Sequence, residues 1–160
     1  MTQATHVAST LVALHLAGSP EPRTALACLI GTLLPDVDHP RPCLFVALGP
    51  VRALWNTHYS TGRGLLGGHR GATHSLLAII LASLVAAALG YALGAPAIGP
   101  YFALGYGLHL ALDALTPSRV PLAWPDKRRW GLGLVHTGSL GEMAFLLALV
   151  AYGSKVGGSG

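Results

Sequence analysis

The sequence predicts an all-α, integral membrane bundle of four to five transmembrane or membrane-embedded helices, on three observations. Hydrophobic residues make up 52% of the chain and charged residues only 10%, against about 25% charged in an ordinary soluble domain. The mean hydropathy is +0.55. The apolar residues collect into five runs, at about residues 6–18, 24–35, 75–94, 98–115 and 138–153, and two of these approach the roughly 20 residues that cross a bilayer.

The first two runs are shorter, and are read as tilted helices or as a hairpin partly sunk in the membrane. No basic segment precedes Val7 to Ala17, so this stretch is read as a retained helix and not a cleaved leader. Gly18-Ser19-Pro20-Glu21-Pro22 turns the chain between the first two helices, and Gly94-Ala95-Pro96 separates the third from the fourth. At 160 residues this is a single domain, taken as 1–156. The glycine-rich tail 157–160 resembles a linker or tag scar and is set aside. Cys28 and Cys43 have no metal-ribbon or redox spacing. The net charge of +4 does not call for nucleic acid, because the basic residues lie in loops between apolar runs.

Alternating crossings place the N-terminus, the 35–75 loop and the 116–137 loop on one side. That side carries Arg41, Arg52, Arg63, Arg70, Arg119, Lys127, Arg128 and Arg129, whereas the other has Arg23 and Lys155. The positive-inside rule makes the first side cytoplasmic, and the chain a multi-pass protein of the inner membrane.

The polar residues within the apolar runs fall at that same side. In Gly105 to Pro117, His109 and Asp113 are four residues apart in an otherwise apolar helix. They share one helical face with Cβ atoms roughly 6 Å apart. A carboxylate at membrane depth costs on the order of 3 kcal/mol and marks a functional candidate. The second cluster is Leu34-Pro35-Asp36-Val37-Asp38-His39-Pro40. Here Pro35 ends a helix and an extended segment would aim Asp36 and Asp38 the same way. Imidazole and carboxylate donors without thiolate suit Zn, Mn or Fe; a wet Asx turn is the plain alternative.

The third cluster, Gly67-Gly68-His69-Arg70-Gly71-Ala72-Thr73-His74-Ser75, offers two histidines, a helix cap at Thr73 and an anion site at a helix N-terminus beside Arg70. A basic loop with a good cap would explain Arg70 and Thr73 but not both histidines. His6 stands at the same end of the first helix and Glu142 in the first turns of the fifth. Tyr101, Tyr106, Trp124 and Trp130 read as an interfacial aromatic belt. The proline-rich 116–125 stretch reads as a rigid lip beside the site or a plain interfacial loop.

Taken together, His6, Leu33-Leu34-Pro35-Asp36-Val37-Asp38-His39-Pro40, His69-Arg70-Gly71-Ala72-Thr73-His74-Ser75, His109 and Asp113 before Leu115-Thr116-Pro117, Val120 to Pro125, and Glu142 resemble the YdjM-type family of membrane-bound metal-dependent hydrolases, described as LexA-binding and inner-membrane associated. The family in turn looks distantly similar to zinc-dependent phospholipase C and P1-type nucleases, whose His-x3-Asp motif resembles His109 and Asp113. Their later His-x3-Glu motif is not kept, since Gly138 precedes Glu142.

The resemblance implies hydrolysis of a phosphoester in a phospholipid or isoprenoid phosphate, with one or two divalent ions, zinc foremost and Mn or Fe as alternatives. His6, Asp36, His39, His74, His109 and Asp113 would be ligands. Asp38, His69 or Glu142 would act as base or orienter, and Arg70, Ser75 and Arg119 would bind phosphate. The partners expected are membrane lipid and a lipid phosphate, with no nucleic acid. A non-catalytic regulator or scaffold and a metal-ion transporter are the alternatives; transport needs ligands near mid-membrane, and here they gather at one face.

Overall fold

The architecture comes from a computed structural model, which describes residues 1–18, 20–38 and 70–157. Among the described residues the chain forms five α-helices and no strand. Helix α1 is Gln3–Leu16, opened by Thr2, whose hydroxyl accepts the Thr5 N–H, and closed at Gly18 with φ +85°. Helix α2 is Pro22–Leu33, with proline in its first turn, where no N–H is needed. Pro35 does not end the structure there, because a 3₁₀ turn carries on over Leu34–Asp38.

Helix α3 is Leu76–Ala92. Its cap is Ser75 and not Thr73: the Ser75 hydroxyl accepts the Ala78 N–H at 3.1 Å and donates to the Ala72 carbonyl at 2.6 Å. Helix α4 is Ile98–Ala114 and helix α5 is Leu140–Gly157. The last helix therefore reaches Gly157, one residue into the tail that the sequence reading set aside.

The expectation of full crossings is not met by length. Helices α3 and α4 have 17 residues each, a rise of about 26 Å, against a hydrocarbon core of about 30 Å. None of the described helices is long and apolar enough to cross a membrane.

Helix α4 is the centre, packed against α2 on one side and α3 on the other, while α1 packs on α2 and α5. Glycine makes the α2–α4 contact intimate. A Cβ at Gly105 would overlap the Cys28 carbonyl oxygen, and one at Gly31 would overlap that of Phe102. Backbone thus lies on backbone. Around this seam Ala27, Phe102, Tyr106 and Leu110 pack with Ala86 of α3. Tyr106, expected in an aromatic belt, is instead 2% exposed and donates its hydroxyl to the Thr73 carbonyl.

Beside this apolar core, many polar side chains are buried and one helix face of large apolar ones is exposed. Thr5, His6, Thr10, Thr32, His74, His109, Asp113 and Thr116 are buried, whereas Leu76, Leu77, Ile80, Leu81, Leu84, Val85 and Leu89 line an exposed face of α3.

Candidate metal centre

Each side chain of the centre is delivered by a helix end. His6 comes from the start of α1, Asp36 from the 3₁₀ turn after α2, His74 from the turn before α3, and His109 and Asp113 from the last two turns of α4. The glycine seam brings α2 close enough for its Thr32 carbonyl to accept a hydrogen bond from His109 Nδ1 at 2.7 Å. A carbonyl can only accept, so Nδ1 carries the proton and the Nε2 lone pair of the neutral ring points away from α2.

That lone pair points into a cluster of like atoms. His109 Nε2 lies 3.3 Å from His74 Nε2, 3.6 Å from Asp36 Oδ1 and 3.7 Å from Asp113 Oδ2. His74 Nε2 lies 3.6 Å from Asp36 Oδ1 and 3.4 Å from Asp113 Oδ2. Ligand atoms of all four residues lie within 4.8 Å of one another, and all four residues are buried. Four donors about 2.05 Å from a tetrahedral zinc ion stand about 3.4 Å apart. The five spacings above, 3.3 to 3.7 Å, lie near that edge length, so the residues fit a metal ion.

His6 lies against this set, its ring stacked on that of His109 with centroids 3.9 Å apart and planes 8° from parallel. Its Nε2 is 3.3 Å from Asp113 Oδ1 but out of hydrogen-bond alignment. Neither ring nitrogen has a hydrogen-bond partner among the described residues, although the side chain is 1% exposed. Nε2 thus has a carboxylate beside it, and the buried Nδ1 is the nitrogen left to an additional group.

The electrostatics of Asp36 carry the same message. Burial alone would raise its carboxyl pKa. The close approach of His74 and the positive charge that His109, His74 and His6 carry when protonated outweigh burial and hold the group well below the ordinary carboxylate range.

Arg70 departs from its expected role. Its residue has φ +57°, and its guanidinium is turned inward, donating to Asp113 Oδ1 at 2.9 Å and Thr116 Oγ1 at 2.7 Å. It holds a carboxylate of the centre and is not open to phosphate. The Met1 α-amino group also reaches Asp113 Oδ1, at 2.5 Å. Ser75, expected to bind phosphate, is occupied by its capping bonds. Arg119 is exposed on the loop after α4, with φ +54°.

Glu142 stands apart from the four-residue set. Its carboxylate accepts hydrogen bonds from the Thr2 N–H and Thr5 hydroxyl on one oxygen and from the Gly138 N–H on the other, tying the start of α1 to the start of α5. The 3₁₀ coil also replaces the extended segment expected to aim Asp36 and Asp38 together. The Asp38 side chain, His39 and His69 lie outside the described residues.

Two contributors were not found from sequence. The Thr32 carbonyl has no side-chain signature. Thr116 does have one, three residues after Asp113, where its hydroxyl donates to the Asp113 carbonyl at 2.8 Å and accepts from Arg70.

The family model described as YdjM inner membrane protein matches residues 1–159. Inner membrane protein YdjM of Escherichia coli (strain K12) and that of Shigella flexneri are each 38% identical to this chain over 117 residues, covering 71% of it and 53% of the relative. The chain thus spans about half the length of the curated relatives it matches. No solved structure matches.

Proposed function

Starting from the finding that this chain belongs to the YdjM inner membrane protein family, we propose that it is a membrane-embedded, metal-dependent hydrolase of lipid phosphoesters. The observation that carries the reading is the buried pair of imidazole nitrogens facing two carboxylates at metal-ligand spacing. Asp36, His74, His109 and Asp113 would hold the ion, with zinc favoured by the mixed nitrogen and oxygen donors. Bound there, a divalent ion supplies charge neutralisation for a phosphoryl group and acidifies water.

The protein's own groups prepare the site. The Thr32 carbonyl fixes the His109 tautomer, and Arg70 with Thr116 fixes Asp113. His6, whose Nε2 faces Asp113 and whose Nδ1 has no hydrogen-bond partner among the described residues, is placed to complete the ligand set or to hold a proton beside it. The apolar outer face of α3 supports immersion in lipid. Arg119, Lys127, Arg128 and Arg129 on the loop after α4 support a cytoplasmic orientation for the site. The kinship of the family to phospholipase C and P1-type nucleases, suggested by His109 and Asp113, is the ground for phosphoester chemistry; it is analogy at the level of a motif.

A second reading has one observation in its favour. Arg70 already neutralises Asp113, as a scaffold that keeps the cluster for stability alone would require. Elemental mass spectrometry of the detergent-purified chain separates the two. Zn, Mn or Fe in at least about equimolar amount, absent from His109→Ala, is the expected result. A well-folded wild type that takes up no transition metal on reconstitution would sink the hydrolase reading. Metal-loaded protein that releases nothing from phospholipids or isoprenoid phosphates would favour the scaffold.

A further inference from the structure

The segment after the basic run 127–129 carries an apolar row that nothing among the described residues covers. Trp130, Leu132 and Leu134 are 53%, 69% and 69% exposed. Gly133, with φ +68°, turns the chain between the two leucines, and the three exposed side chains within five residues form one apolar stripe along the segment. The backbone beneath them is firmly held. Trp130 exchanges hydrogen bonds with Val120 in an isolated bridge, the Leu132 N–H donates to the Ala114 carbonyl, and the Leu134 and Val135 N–H groups donate to the Leu115 carbonyl. Exposure of the stripe is therefore imposed by fixed backbone.

The stripe sits in a definite place. Its anchors, Ala114 and Leu115, directly follow Asp113 of the metal centre. The other arm of the loop reaches the start of α3, where the Leu122 carbonyl accepts the Leu76 N–H. At Leu76 the exposed apolar face of α3 begins. Lys127, Arg128 and Arg129, which immediately precede the stripe, are all exposed. A tryptophan and two leucines beside a cationic run, at the rim of an apolar helix face, have the chemistry of the zone between headgroups and acyl chains.

We propose that the 127–134 segment is an interfacial anchor, in which Trp130, Leu132 and Leu134 enter the acyl boundary of an anionic bilayer while Lys127, Arg128 and Arg129 meet its headgroups. The anchor holds the mouth of the metal centre at headgroup level, where a lipid phosphate arrives by lateral diffusion. The consequence for substrate rests on the hydrolase reading; the anchor itself does not.

The full chain is reconstituted into phosphatidylcholine vesicles with and without phosphatidylglycerol. Emission of Trp130 is taken as the difference between wild type and Trp130→Phe. Quenching by lipids brominated high on the acyl chain, protection from aqueous iodide, and a stronger effect in the anionic vesicles are expected. Lys127→Ala, Arg128→Ala and Arg129→Ala should each lower the inserted fraction relative to the free by roughly fivefold in anionic vesicles. The comparison of lipid compositions needs no variant, so it stands even where a substitution disturbs the loop. Iodide quenching without bromine quenching places the stripe in water and overturns the proposal. Protection from both quenchers means that protein, such as a second copy, covers it, and overturns it equally. Metal content is measured on the same vesicles: metal retained with Trp130 in water removes the anchor and leaves the hydrolase reading, and an inserted Trp130 with no metal does the reverse.

Discussion

Two buried carboxylate centres lie at the same end of this bundle, and they are built in opposite ways. Glu142, 3% exposed, is surrounded by donors: two backbone N–H groups and a hydroxyl satisfy its oxygens. Asp36 Oδ1 and Asp113 Oδ2, in residues 7% and 1% exposed, face imidazole nitrogens, one of which is held with its lone pair inward by the Thr32 carbonyl, while the other Asp113 oxygen is already met by Arg70 and the Met1 amino group. Burial does not distinguish the two centres. The polarity of what faces their inward oxygens does, since an oxygen met by donors is complete and one that shares space with acceptors needs a cation or a proton.

The largest effect expected from this contrast is at Asp113. Asp113→Asn removes a charged donor from the four-residue set and leaves Arg70 buried without its carboxylate. Metal affinity should fall by more than about 100-fold, beyond the 10–100-fold usual for loss of a supporting partner. Titration with zinc under a competing chelator reads it. Retention of wild-type affinity would remove Asp113 from the ligand set.

Gly105→Ala comes next, and it tests whether the centre depends on the glycine seam. The added methyl meets the Cys28 carbonyl oxygen, forcing α2 from α4 and the Thr32 carbonyl from His109. Overpacking of this kind costs about 1–3 kcal/mol. Thermal unfolding in detergent should drop, and metal occupancy should drop with it. Loss of stability with full occupancy would show that the His109 tautomer is fixed by something else.

At the other centre, Glu142→Ala should do the reverse. Three donors lose their acceptor, at a cost of about 1–3 kcal/mol for each group left buried and unpaired. The midpoint of thermal unfolding should fall while the folded fraction keeps its full complement of metal. If metal is lost from well-folded Glu142→Ala, the two centres are one.

A smaller effect is expected at Arg70. Arg70→Lys keeps the charge but cannot span both Asp113 and Thr116 with one planar group. Zinc affinity should fall by roughly tenfold, with stability less affected than in Glu142→Ala. An unchanged affinity would return Arg70 to the phosphate-binding role that the sequence suggests.

Much of this contrast was legible in the chain, and the rest was not for identifiable reasons. The i, i+4 spacing of His109 and Asp113 is a helical property, so their shared face could be read directly. Alternating helix directions brought His6, Asp36 and His74 to the same end without any knowledge of packing. The inward turn of Arg70 could not be read, because it depends on a φ of +57° in a residue type that seldom adopts it. Nor could the completeness of Glu142, which rests on backbone N–H groups that every residue possesses. Helix lengths misled in another way: apolar runs of about 18–20 residues include capping turns, and the helices within them are shorter.

The smallest expected effect concerns pH, and it divides the metal-free centre from the loaded one. The folded pKa of Asp36 lies below its unfolded value. Asp36 therefore contributes stability that is fully present above the ordinary carboxylate pKa of about 3.9, and loses it as pH falls from there toward the folded value. Asp36→Asn has no such contribution to lose. The gap between the unfolding midpoints of metal-free wild type and Asp36→Asn should accordingly narrow as pH is lowered below about 4. In the loaded protein bound zinc adds a stabilisation of its own, which is lost wherever protons displace the ion from its imidazole and carboxylate ligands. Thermal scans from pH 7 downward, with and without zinc, should thus separate a stabilisation present only with zinc from an Asp36-dependent loss below about pH 4. A midpoint gap that stays constant through the acid range would mean that the histidines do not stabilise the Asp36 carboxylate, and the distinction between the two carboxylate centres would lose its electrostatic half.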